Sequence, residues 1–275
     1  MRRPAEAAPT FWRATSWKAA ALKPWDAASR PLAPSRTASS RPLRSYDRGV
    51  QREFLPVALV PAYQAEATVG SVVRGLLRYV PRVLVVDDGS TDRTRHAAGE
   101  AGAAVIRLPV NAGKGAALRA GLAWLLESES THVAFVDADG QHDPDDLPAL
   151  LSAARAGEPF VIGSRMSSAD GIPPVRFRTN EIGSRILARM TGHDVEDGQS
   201  GYRVIAAPIL RRLSLSSRGY SIETEILLKA APHVPRFASV PVRAIYSTAP
   251  SHYRPFRDTW IISWGAVYYK VFEVE

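Results

Sequence analysis

The sequence predicts an α/β fold, a mainly parallel sheet with helices on both faces, preceded by a disordered N-terminal tail. Three observations predict it. From residue 54 onward, short apolar runs alternate four times with amphipathic stretches, the rhythm of strands and crossover helices. Polar and glycine-rich clusters fall directly after the apolar runs, where such sheets bind ligands. Residues 1–52 show neither feature.

The elements follow in order. Strands are expected at 56–61 (PVALVP), 83–87 (VLVVD), 105–108 (VIRL), 132–137 (HVAFVD) and 159–163 (PFVIG). Helices are expected at 68–79, 92–101, 114–126 and 145–156, with Asp92 and Asp143 placed to cap two of them. The clusters at the strand ends are Pro61-Ala62-Tyr63-Gln64-Ala65-Glu66, then Asp87-Asp88-Gly89-Ser90-Thr91-Asp92, then Asn111-Ala112-Gly113-Lys114-Gly115, then Asp137-Ala138-Asp139. Four loops therefore converge on one crevice.

Composition sets limits. The chain has 275 residues, 45% hydrophobic and 23% charged, enough for one substantial domain and an appendage. It has no cysteine, which excludes disulfides, thiolate metal sites and a cysteine nucleophile. The net charge of +8 resides in residues 1–52, which hold eleven basic and three acidic residues; the other 223 carry 24 of each sign. No nucleic-acid-binding core follows from that distribution. The tail is rich in Ala, Arg, Ser and Pro, and Trp12, Trp17 and Trp25 stand among its basic residues. The chain thus divides into a tail (1–52), a catalytic-type α/β domain (53–250) and a C-terminal amphipathic segment (251–275).

The clusters carry chemistry. Two carboxylates one residue apart at the end of a buried strand, Asp137 and Asp139, are costly unless a cation or ligand meets them. With Gln141 they present hard oxygen donors suited to Mg²⁺ or Mn²⁺ on a diphosphate. Asp88 is expected to contact a ligand, since a turn and a cap do not require two preceding carboxylates. The segment 111–115 precedes a helix but lacks the frame of a P-loop.

VPAYQAEATVG, VVDDGSTDRT, NAGKGAALRAG, VDADGQHDPDDL, GSR and DGQSGYR, in this order and spacing, resemble the family 2 glycosyltransferases of GT-A (Rossmann-like) fold. The likeness is strongest to the dolichyl-phosphate and polyprenyl-phosphate sugar transferases and spans roughly residues 55–231. It implies an enzyme that takes a UDP- or GDP-sugar as donor. Pro61, Ala62, Tyr63, Glu66, Asp88, Lys114, Asp137 and Asp139 would line the nucleotide-sugar site, and Asp137, Asp139 and Gln141 would hold the metal. The family has Asn-Glu after the Pro-x-Tyr, whereas this chain has Gln64 and Ala65, with a carboxylate only at Glu66.

A lipid phosphate acceptor is already an anionic nucleophile and needs no general base; a hydroxyl acceptor needs one, for which Asp197, Glu223 and Glu225 are candidates. Guanidinium groups suit the acceptor phosphate. The resemblance points to Arg165 with Arg176 or Arg178, joined by Ser200 and Arg203, and makes Asp139, Arg165 and Asp197 the catalytic set. Residues 259–269 are uncharged but too short to span a bilayer, which needs about 20 residues. Trp260, Trp264, Tyr268, Tyr269 and Phe272, behind Arg254 and Arg257, fit either a segment resting at headgroup depth or a core helix packed on the sheet, with His252 and Arg254 as further candidate phosphate contacts. The expected partners are the sugar nucleotide, a polyprenyl phosphate and the cytoplasmic face of the membrane. A saccharide hydroxyl acceptor and a catalytically silent relative are the alternatives.

Overall fold

The computed structural model describes residues 53–166, 174–217, 219, 221–243 and 245, with side chains at 174–176 excepted. Seven strands form one sheet: β1 (Pro56–Ala62), β2 (Val83–Asp87), β3 (Ala104–Arg107), β4 (His132–Phe135), β5 (Phe160–Ser164), β6 (Arg203–Ala206) and β7 (Ala238–Pro241). Their order is β3-β2-β1-β4-β6-β5-β7. All pairings are parallel except those of β6, which runs antiparallel to both β4 and β5. The helices are α1 (Val69–Leu76), α2 (Thr94–Glu100), α3 (Lys114–Leu125), α4 (Leu147–Arg155), α5 (Pro174–Thr191), α6 (Ala207–Leu210) and α7 (Ile222–Ala230).

Strand periodicity explains the two cores. Successive side chains of a strand point to opposite faces. Val57 and Leu59 of β1 join Leu84, Val86, Val133 and Phe135 in a core covered by α3, α5 and α7. Ala58 and Val60 join Val83, Val85 and Ala134 in a second core, under α1, α2 and α4. A sheet apolar on both faces is what a βα alternation builds. Helix α3 lies so close to β1 that a Cβ on Gly121 would come within 2.3 Å of Leu59 Cδ1.

Five strands and four helices occur where the sequence predicts them, with ends displaced by a few residues. The expected strand 132–137 stops at Phe135, which leaves Asp137 on a loop. Asp143 caps the turn after it, accepting from the Asp145 amide at 2.9 Å. At α2 the cap position belongs to Arg93, while Asp92 accepts from the Thr94 amide at 2.9 Å. Strands β6 and β7 and helices α5 to α7 lie beyond the predicted elements. The SGYR motif runs directly into β6, whose first residue is its Arg203. The tail 1–52 and the segment 251–275, with His252, Arg254 and the aromatic residues, lie outside the described residues.

One stability consequence follows from β4. His132 is buried against the Phe54 ring, 4.7 Å between centroids, and burial lowers its pKa from 6.5 to about 4. The unfolded chain therefore binds a proton that the folded one refuses, so stability falls as pH drops from 6.5 towards 4. The buried His142, whose pKa burial likewise lowers to about 4, adds a loss of the same sign; His132→Leu should remove about 2 to 3 kcal/mol of the total seen in denaturant titrations across that window and leave the share of His142.

Candidate functional site

Strand order reverses between β1 and β4, since β2 and β3 continue one way and β6, β5 and β7 the other. Ligand crevices in such sheets open beyond the carboxyl ends at this point. Pro61 and Ala62 at the end of β1 are buried at its base, and Tyr63 stands at the rim, 44% exposed.

Three loops are stitched together along one side. Gln64, with a positive φ of 51°, accepts from the Thr91 and Asp92 amides at 3.2 and 3.1 Å, and its own amide donates to Ser90 Oγ at 3.0 Å. Glu66 accepts from the Arg93 amide at 2.8 Å. The Asp88 carboxylate accepts from the Ala112 and Gly113 amides, both at 2.8 Å, which fixes the loop ahead of α3. These carboxylates, expected to meet a ligand, thus hold neighbouring backbone. Gly89 is required between them: its φ is +72°, and a Cβ there would lie 2.5 Å from the Val110 carbonyl carbon.

The centre of the crevice is charged. Lys114, at the start of α3, bridges Asp137 and Glu223, each at 2.6 Å. Burial works against the ammonium, but the two carboxylates outweigh it and hold its pKa above the ordinary value. Burial likewise opposes ionisation of Asp137, and the Lys114 charge reverses that, so Asp137 stays ionised. Gly201 packs against this carboxylate; a Cβ would sit 2.7 Å from Asp137 Oδ2. Glu223 Oε2 is buried without a hydrogen-bond partner among the described residues.

Asp139 faces solvent, and its Oδ1 accepts from the Gln141 amide at 2.9 Å. Partial desolvation, then the Asp137 charge, raise its carboxyl above the usual range. The Asp137 and Asp139 carboxylates are hard oxygen donors of the kind a divalent cation takes, and such a cation would relieve their mutual repulsion. Among the described residues no three His, Asp or Glu side chains gather as a metal set, so further ligands would be substrate and water oxygens.

At the end of β5, Arg165 is locked to the fully buried Asp197: Nε to Oδ2 at 2.8 Å, Nη2 to Oδ1 at 3.0 Å, and its amide to Oδ2 at 3.1 Å. Burial penalises the Asp197 charge, but Arg165 more than compensates and keeps its pKa low. The carboxylate expected to be catalytic or to act as a base is therefore a brace for Arg165. Arg203 is a correction as well. It was expected at the acceptor phosphate, but it is buried and donates to the Ser200, Glu223 and Gly198 carbonyls at 2.8, 2.8 and 2.9 Å. Ser200 is buried and accepts from the Tyr202 amide at 3.2 Å. Arg178 is exposed on α5; the Arg176 side chain lies outside the described residues. Glu225 accepts from the Ser216 and Ser217 amides and pairs with Lys229 at 2.9 Å, so it too is engaged.

Sequence reasoning missed the support behind the 137–146 loop. His142 is buried, stacks on Tyr202 at 5.0 Å, and accepts from the Asp137 amide at 3.4 Å. Tyr202 donates to the Asp143 carbonyl at 3.1 Å, and Thr68 to the Ala138 carbonyl at 2.6 Å. The apolar position of Tyr202 just ahead of β6 was the only available signal.

Residues 57–214 match the family model "Glycosyl transferase family 2". Among curated relatives, an undecaprenyl-phosphate mannosyltransferase of Micrococcus luteus is 32% identical, over 68% of this chain and 82% of its own. A polyprenol monophosphomannose synthase of Mycolicibacterium smegmatis is 30% identical, over 68% of this chain and 76% of its own. Among solved structures, glucosyl-3-phosphoglycerate synthase of Mycobacterium tuberculosis in complex with Mn²⁺ and UDP-glucose superposes with a TM-score of 0.59 at 23% identity, covering 78% of this chain and 76% of that one. At that identity the last likeness is one of fold, the GT-A type.

Proposed function

Because the chain belongs to glycosyl transferase family 2 and is a glycosyltransferase, we propose that it transfers a sugar, with inversion, from a UDP- or GDP-sugar to a polyprenyl phosphate of dolichyl type. The observation that carries the acceptor is the state of the candidate bases. Asp197 is bound through both oxygens to Arg165, Glu225 is bound by amides and Lys229, and Glu223 shares Lys114. A hydroxyl acceptor needs a carboxylate able to take its proton, whereas a phosphate acceptor arrives ionised. Names of relatives point the same way, being those of lipid-phosphate transferases.

In this reading the nucleotide lies between Tyr63, Glu66 and the Asp88 loop, and Asp137, Asp139 and Gln141 hold Mg²⁺ or Mn²⁺. When bound, that cation supplies charge stabilisation to the leaving diphosphate. Lys114 offsets one of the two negative charges of Asp137 and Glu223, which leaves the trio net negative beside the place of the cation. Arg165, with its fork oriented by Asp197, and Arg178 receive the acceptor phosphate, and attack comes from the face opposite the nucleotide. The enzyme works as a peripheral protein at the cytoplasmic face of the membrane that carries its lipid. Among the described residues no helix is long and apolar enough to cross a membrane.

A saccharide hydroxyl acceptor is the second reading, and Glu223 favours it: its Oε2 lies buried beside the crevice, unpaired among the described residues. The experiment that tests the proposal supplies labelled UDP- and GDP-sugars with Mg²⁺ or Mn²⁺ and polyprenyl phosphate. Label entering the organic phase, dependent on the metal, is the expected result. Donor hydrolysis or transfer to a saccharide, with no labelled lipid, supports the second reading instead, and no donor binding supports a silent relative.

A further inference from the structure

The chain leaving β7 is fastened to the loop that carries Asp139 and Gln141. The Val242 amide donates to the Ser164 carbonyl at 2.9 Å, one residue before Arg165, and the Ile245 amide donates to the Gln141 carbonyl at 3.1 Å. Between them stands Arg243. Its amide and Nε donate to Asp146 Oδ2 and Oδ1 at 2.8 and 3.0 Å, and its Nη2 reaches Asp143 Oδ2 and Asp146 Oδ1, both at 3.0 Å.

We propose that Arg243 is a positioning residue for the 139–146 loop, and through it for the metal site of the proposed reaction. The geometry is that of a clamp rather than a surface pair. Asp143 uses one oxygen to cap the turn after the loop and the other to receive Arg243, and its carbonyl receives Tyr202. Asp146 closes the same turn and is bound by both backbone and guanidinium of Arg243. The loop is therefore gripped from inside by His142 and Tyr202 and from outside by Arg243 and Ile245. Groups that hold a metal site's ligands from behind affect its metal affinity. Arg243 is 62% exposed in its side chain, so its ion pairs contribute little to global stability.

The proposal rests on the metal reading for its consequence but not for the clamp itself, and two measurements keep these apart. Amide hydrogen exchange of the full chain, with and without Arg243→Ala, reads the clamp. Exchange at Gln141 and Asp145 should accelerate about tenfold, with β1 and β2 amides unchanged, since only a local opening is made easier. Mn²⁺ titration followed by electron paramagnetic resonance, alone and with UDP, reads the consequence. Affinity should fall about tenfold, the low end for such a residue, with Arg243→Lys partly restoring it. Unchanged exchange in the loop overturns the clamp, and faster exchange with unaltered Mn²⁺ affinity overturns its positioning role. A parent protein that binds no Mn²⁺ even with UDP overturns the metal reading of the site, while the exchange result still decides the clamp.

Discussion

Asp139→Ala lowers kcat/KM for sugar transfer about a hundred- to a thousandfold and leaves the melting temperature within about 2 °C of the parent. The two halves of this expectation come from different observations. Asp139 faces solvent, and its carboxylate accepts a hydrogen bond from the neighbouring Gln141 amide, a local contact within the loop, so folding loses little with it. Chemistry loses much in the proposed reaction, where this carboxylate would hold the cation beside which the leaving diphosphate would gather charge. Asp137→Ala is a less clean experiment. Asp137 also anchors Lys114 and packs on Gly201, so its removal disturbs Glu223 and the crevice wall together. Initial rates at saturating donor, with thermal unfolding of the same preparations, check the prediction. A loss of activity matched by a loss of fold would sink it.

Asp197→Ala is expected to cost about 3 kcal/mol of stability and to raise KM for the lipid phosphate far more than KM for the donor. Asp197 is fully buried and bound three times by Arg165, whose side chain is 18% exposed. Removing one partner of such a pair leaves the other charge uncompensated in a poorly solvated place. Arg165 would then turn to other partners and lose the orientation its fork needs for phosphate. The pH dependence has a definite sign. Burial opposes the Asp197 charge and Arg165 outweighs it, so the folded pKa lies below the ordinary 3.8. The pair therefore stabilises the fold at all pH values above that, and its contribution is lost only as pH falls through the folded value. Acid weakening between pH 6.5 and 4 is thus the work of the buried histidines His132 and His142, not of this pair. Urea titrations and separate KM measurements test both parts. Equal rises in the two KM values would mean that Asp197 supports the whole crevice rather than Arg165.

The parallel half of the fold was legible because each of its strands is a dense apolar run closed by a polar cluster. Leu59 and Val60 of β1, or Val85 and Val86 of β2, must be buried on both faces, and only a βα alternation buries them. The antiparallel strand β6 has no such mark. Its four residues begin with Arg203, a charge that reads as surface until its three carbonyl partners are seen. The same blindness applies within the crevice. Sequence spacing brings Asp137, Asp139, Lys114 and Arg165 to strand or helix ends, since those positions follow from the apolar runs. It does not reveal that Asp88 and Glu66 serve backbone amides, or that Asp197 braces Arg165 across 32 residues of chain. Those partnerships depend on how loops fold over one another. Arg243 was silent for the same reason, as its partners Asp143 and Asp146 lie almost a hundred residues earlier.

The most direct measurement compares polyprenyl phosphate with the corresponding polyprenol, offered with the same labelled sugar nucleotide and metal. An acceptor that arrives ionised needs no base, and Asp197 and Glu225 are committed elsewhere. Label should therefore enter the phosphate-bearing lipid alone. Transfer to the polyprenol or to a saccharide at a comparable rate would contradict the account and make Glu223 the base to examine.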